Sequence, residues 1–178
     1  MNKELRCYTF THFMLSSIQQ GIQAGHASME IVNKYLVERD LVERGWVDGY
    51  AEQVNDWIAN HKTIVCLNGG NSDGVREIKT FLDNANNPFP YAGFFEDEQS
   101  LNGALTSVAI VLPERIFNTA TLMRSRTLPN GVSYTYDKLL SEHRFAFEGP
   151  NFDNIQLEIY TEWEYELMQK LNSCSLAR

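Results

Sequence analysis

Four side chains early in the chain have types and spacing suited to chemistry: Gln19, Gln23, His26 and Glu30. At about 100° per residue they fall within an arc of roughly 60° on one helical face. Two amides can hold a polar group of a substrate, and an imidazole can take a proton from water. Glu30 follows His26 by one turn and could hold its ring. His26 lies near the start of this helix, where the partial positive charge disfavours imidazolium and keeps the ring a proton acceptor. The plainer reading of the same spacing is a half-exposed, amide-rich helix face.

Other polar clusters are weaker. Asn68 to Gly74 is a glycine-containing loop that could offer backbone amides to a phosphate. It has no Gly-Lys-Ser/Thr ending and does not match G-x-G-x-x-G, so a turn with Ser72 or Asp73 capping the next helix fits better. His12, His26, His61 and His143 show no metal-ligand spacing, and no Cys-His cluster occurs, so neither metal nor cofactor is expected. No Gly-x-Ser-x-Gly elbow is present. Glu96, Asp97 and Glu98 precede Leu105-Thr106 and could serve a site or solvate a loop. Arg124, Arg126, Arg144 and Lys138 form a basic island that could reach an anion or simply flank a solvated hairpin.

The elements that must position these groups follow from periodicity. Cys7 to Phe13, rich in β-branched and aromatic residues, predicts a first strand. Ile22, Gly25, Met29, Val32 and Leu36 recur at helical spacing and predict the buried stripe of a first helix ending near Val37 to Leu41. Asp48 can cap a second helix carrying Tyr50, Val54, Trp57 and Ile58. Thr63–Leu67 reads as a strand covered on both faces. Val75, Ile78, Phe81 and Leu82 mark a third helix, Tyr91–Phe95 a third strand, and Ser107–Leu112 a strand stopped by Pro113. Strands alternating with helices predict an α/β fold: three layers with a mixed, roughly four-stranded sheet covered by helices. The tail reads as an α+β extension. Pro129-Asn130-Gly131 suggests a hairpin turn between Thr119–Thr127 and Val132–Tyr136. Ile155–Ile159 alternates like a strand, and Thr161 with Glu164 makes a capping box for a helix from about Glu162 to Leu171.

Composition sets the outer limits. With 178 residues, 43% hydrophobic and 21% charged, the chain can bury a core of its own. No apolar run approaches the length of a membrane helix, and the first residues lack the apolar core of a secretory signal. Three cysteines without C-x-x-C spacing fit a reducing compartment, so a cytoplasmic location is expected. A net charge of −8 disfavours a long nucleic acid as partner and leaves a small nucleotide or a protein.

The order of these elements resembles the class II peptidyl-tRNA hydrolases of archaea and eukaryotes and their bacterial and viral relatives. In that pattern Gln-x-x-His-Ala opens a long helix after the first strand, as Gln23-Ala24-Gly25-His26-Ala27 does here. Trp57, Thr63–Leu67 and Ser72–Leu82 occupy the next places, and an acidic loop then leads through Thr106 into a strand closed by Pro113. The resemblance covers about residues 5 to 117. It implies a core over 1–117 and a C-terminal extension over 118–178, a hairpin plus a helix packed on that core. The compact core with an idiosyncratic tail is similar in style to phage proteins of this fold. Active family members carry a Gly-Lys-Gly-Lys-like turn where this chain has Ser16 to Gln20, and an Asp-x-Gly-Arg-Thr signature where it has Glu96 to Gln99. The groups that would engage tRNA phosphates are therefore missing.

What the resemblance implies is a hydrolase acting on a nucleotide-bearing substrate, either peptidyl-tRNA or a small nucleotide signal. His26 would activate water, Gln23 with Gln19 would polarise the scissile group, and Thr106 with Asp97 would position it. Ser17, Gln19, Glu30 and His12 would contact substrate, and a homodimer is implied. The rival reading is a non-catalytic module of the same fold that sequesters a nucleotide or a host protein.

Overall fold

The structure, a computed structural model, describes residues 4–37, 48–125, 133–148 and 156–177. The chain divides into two compact units, Met1–Glu114 together with Cys174–Arg178, and Arg115–Ser173. The first holds a mixed four-stranded sheet of β1 (Leu5–Thr11), β2 (Thr63–Asn68), β3 (Tyr91–Phe95) and β4 (Leu105–Pro113), in the order β2-β1-β4-β3. β1 and β2 are parallel, whereas β4 runs antiparallel to both β1 and β3. Its helices are α1 (Ser17–Val32), α2 (Asp48–Asp56), α3 (Ser72–Leu82) and the short α4 (Glu98–Leu101). α1 runs on into a π-helical turn at Asn33–Val37, and α2 into another at Trp57–His61.

Alternation along the strands shows which helix covers which face. Cys7, Ala92, Ala109 and Val111 form one core cluster with Ala27 and Ile31 of α1 and Val54 of α2. Phe94 packs against the same cluster. Gly93, between Ala92 and Phe94, points the other way: a Cβ there would meet Lys79 of α3 at 3.1 Å. Two helical layers therefore enclose the sheet, which is the α/β layering expected from the pattern. Burial pushes the Cys7 thiol up to about 12, in keeping with a small apolar role inside this core. Cys66 and Cys174 form no disulfide among the described residues and are only partly buried.

Of the stripe that hydrophobicity predicts, Val32 and Leu36 pack against this core, but Ile22 and Met29 do not. The inward face of α1 is Gln20, Gln23, Ala24, Ala27, Ser28 and Ile31. Ile22 is 49% exposed and Met29 63%. The reason is closeness of approach. Ala27 and Ser28 face Cys7, Ala92 and Ala109, all small, and Ser28 Oγ lies 3.5 Å from Cys7 Sγ. Bulky residues at the inward positions would push the helix off the sheet.

Two other expectations change. β2 is an edge strand, with Ile64 exposed, and is not covered on both faces. Part of that edge is paired by the last residues, since Asn68 N–H donates to Ser175 O and Ala177 N–H to Cys66 O. α3 is capped by Asn71, one residue before Ser72, and the Asn71 side chain accepts from Gly74 N–H at 3.0 Å. The expected end of the first helix beyond Val37, the Asp48 cap and the turn at Pro129–Gly131 lie outside the described residues or side chains.

The second unit carries an antiparallel sheet of β5 (Ser133–Leu139), β6 (Glu142–Glu148) and β7 (Gln156–Thr161), in that order, with α5 (Glu114–Ser125) and α6 (Glu162–Ser173). The stretch read as a strand from Thr119 is helical through Ser125. Ile116, Phe117, Thr119 and Ala120 of α5 are buried, a helical period that its threonines disguise. The partner of β5 is β6, joined at Leu140-Ser141. The expected capping box at the start of α6 is present: Glu164 N–H donates to Thr161 Oγ1, and Thr161 N–H to Glu164 Oε2. Tyr160 Oη bonds Thr119 Oγ1 at 2.7 Å, and Arg115 pairs with the buried Glu164.

The glycine loop after β2 is closed by steric fit. A Cβ on Gly74 would stand 2.6 Å from the Gly69 carbonyl oxygen, a backbone atom that cannot swing aside. Gly74→Ala is expected to cost about 1–3 kcal/mol in urea unfolding, as overpacking commonly does.

Candidate functional site

The structure brings together Gln23, Thr106 and His26, with two residues of the β3 end. A register break in β3–β4 supplies the geometry. Phe94 faces Ser107 and Phe95 faces Leu105, so Thr106 is an extra residue on β4. Such a bulge re-aims the side chain it inserts. Thr106 Oγ1 donates to Gln23 Oε1 at 2.7 Å, across the sheet–helix boundary. Gln23 Nε2 donates in turn to Glu96 Oε1 at 2.5 Å. Thr106 and Gln23 are buried and Glu96 is partly exposed, so the chain of bonds runs from the interior to the surface.

One turn beyond Gln23, His26 is exposed, its ring tilted against Phe94 with centroids 4.6 Å apart. The arrangement is an amide fixed at both ends beside an imidazole open to solvent. One N–H of Gln23 is unused among the described residues, and the imidazole can exchange a proton with water.

Other polar atoms lie close by. Ser107 shares the strand parity of Ala109 and Val111 and so points to the α1 side, and its buried Oγ has no partner among the described residues. Gln20 is likewise buried on the inward face of α1. Its Nε2 donates to Leu15 O at 2.8 Å, while its Oε1 has no partner among the described residues. Ser107 Oγ and Gln20 Oε1 thus retain unused hydrogen-bonding capacity among the described residues.

The remaining candidates are placed elsewhere or used otherwise. Gln19 completes the capping box of α1, its Oε1 accepting from Ser16 N–H and Oγ. Ser17 is the exposed first residue of that helix. Glu30 is half-buried, and no hydrogen bond joins it to His26 among the described residues. His12 Nδ1 accepts from Met14 N–H, so its Nε2 carries the proton and donates to Ser72 Oγ at 3.1 Å. His12 thereby ties the end of β1 to α3, although its backbone N–H reaches Thr106 O. The carboxylate that holds Gln23 is Glu96, and Asp97 follows it with an exposed side chain. Parity gives a reason: Ala92 and Phe94 face α1, and Glu96 continues that series.

Two further clusters fall away. A groove of about 550 Å³ in the first unit is lined by Lys79, Phe95 and Leu105 among others. Its cations are engaged, Lys79 with Asp83 and Arg76 with Asp73. The basic island also separates. Arg144 pairs in register with Asp137 and Lys138 with His143, which sets them on opposite faces of the hairpin, while Arg124 donates to Asn172 O. Arg126 lies outside the described residues. Among the described residues no group of three His, Cys, Asp or Glu could hold a metal ion, and no helix is long and apolar enough to cross a membrane.

Comparison of the chain with protein-family models, with curated proteins and with solved structures finds no match.

Removing the hydroxyl from Thr106 strands a buried acceptor on Gln23. Thr106→Val is expected to cost about 1–3 kcal/mol in urea unfolding, and Gln23→Met in the same chain to recover most of that loss.

Proposed function

We propose that the first unit is a hydrolase of the class II peptidyl-tRNA hydrolase type, acting on a nucleotide-bearing substrate: peptidyl-tRNA or a small nucleotide signal. The observation that carries this reading is the fixed Thr106–Gln23–Glu96 chain with His26 exposed beside it. On peptidyl-tRNA, His26 accepts a proton as water attacks the scissile carbonyl, the carbon–oxygen bond to the leaving hydroxyl breaks, and that oxygen takes the proton back from the imidazolium. On a small nucleotide the same proton transfers accompany attack of water at phosphorus and cleavage of the phosphorus–oxygen bond. Gln23 contributes a donor whose direction is set by Thr106 and Glu96, so little reorganisation is needed as charge develops. The net charge of −8 favours a small nucleotide over a whole tRNA. A homodimer belongs to the same reading.

A different observation favours the second reading, a non-catalytic module of the same fold that sequesters a nucleotide or a host protein. Ile18 is 78% exposed and lies on the same outer face of α1 as Ile22 and Met29. An exposed apolar run of this kind is a common mark of protein contact.

Incubating the protein and its His26→Ala variant with peptidyl-tRNA and with a panel of cyclic and linear nucleotides separates the two. Turnover that falls at least about a hundredfold in the variant supports the hydrolase. Binding without turnover in either protein would sink it.

A further inference from the structure

The second unit contains a hydrogen-bonded chain of three ionisable groups that the reading above does not use. His143 on β6 is 1% exposed, yet both its ring nitrogens are engaged. Nε2 lies 2.9 Å from Glu162 Oε2 at the start of α6, and Nδ1 lies 2.8 Å from Tyr136 Oη on β5. The ring is stacked on Tyr165 of α6 with centroids 4.0 Å apart and planes 14° apart, which fixes its orientation. Lys138 donates to both Glu162 oxygens, at 3.1 and 2.8 Å. Lys138, and then His143, hold the Glu162 carboxyl below its ordinary range.

The proton positions follow from the chemistry of the partners. An ionised carboxylate only accepts, so the proton on the imidazole is on Nε2 and points at Glu162. In the neutral ring Nδ1 is then the acceptor, and Tyr136 donates to it. The phenol at the end of the chain belongs to a residue 42% exposed, and it also hydrogen-bonds the Tyr165 side chain. Carboxylate, buried imidazole and solvent-reached hydroxyl stand in the order that activates a nucleophile: the imidazole takes the hydroxyl proton, and the carboxylate stabilises the imidazolium that forms. Tyr136 remains a phenol at rest, since desolvation and the neighbouring Tyr165, Glu162 and Asp137 raise its pKa, so attack needs a base within reach.

We infer that Tyr136 is a nucleophile primed by His143 and Glu162 for transfer of a phosphoryl group from an activated phosphoester or phosphoanhydride. A phosphorus electrophile is favoured because Lys138, held on Glu162, is on the same face of the hairpin two residues along β5 and adds positive charge to that face. In the step, Tyr136 Oη forms a bond to phosphorus and the bond from phosphorus to the leaving group breaks. The phenolic proton moves to His143 Nδ1, Nε2–H stays on Glu162, and the leaving group departs with the electron pair. The product is a phosphotyrosine ester at Tyr136.

The test uses the full chain and diethyl para-nitrophenyl phosphate, following release of para-nitrophenolate and locating the diethylphosphoryl adduct by peptide mass spectrometry. Tyr136 is expected to be modified ahead of the other tyrosines, with the rapid phase lost in Tyr136→Phe. General-base help of this kind is worth roughly a hundredfold or more, so the rapid phase should slow by about that factor in His143→Gln. Glu162 is exposed at the surface, so Glu162→Gln provides a second variant if loss of the buried histidine disturbs folding; it should slow the same phase. Modification spread over the tyrosines according to exposure, or a rate at Tyr136 unchanged by Glu162→Gln, would overturn the inference.

Discussion

A primary amide buried between a helix and a sheet has to find both a donor and an acceptor close at hand, because water cannot supply them. Gln23 meets that demand with Thr106 on one side and Glu96 on the other. The arrangement depends on a single inserted residue. Without the bulge at Thr106, strict alternation would turn that hydroxyl to the α3 side, and the Gln23 carbonyl would be stranded. The small residues Ala27, Ala92 and Ala109 serve the same end by letting α1 lie close enough for the bonds to form.

Much of the first unit was legible in the sequence because its strands are short apolar runs separated by helical periods and turn residues. The order of elements and the Gln23–His26 spacing came through on those grounds. The buried face of α1 did not. Ile22 and Met29 outrank Gln20 and Gln23 in hydrophobicity, but close approach to the sheet selects small and hydrogen-bonding side chains. Glu96 was hidden among three consecutive acids, and only the parity of β3 distinguishes it from Asp97.

The second unit was harder to read. Its observed hairpin turns at Leu140-Ser141, with Leu140 at φ 56°, a backbone state that a branched side chain seldom advertises. Pro129-Asn130-Gly131 is a far louder turn signal, and it drew the pairing to the wrong residues. Tyr136, His143 and Glu162 converge only once β5, β6 and α6 are set in their true register. No short-range spacing links them, so the chain of bonds they make left no trace in the sequence. The capping box at Thr161 and Glu164 was legible because it is a contact over three residues.

The central claim is that ligand chemistry in the first unit is focused where Gln23 is held beside His26. Residue-resolved NMR during titration with an aminoacylated adenosine tests it most directly. The expected result is a set of shifts confined to Gln23, His26, Phe94, Glu96 and Thr106. Shifts gathered instead around Lys79 and Phe95, or none at saturating ligand, would contradict the account.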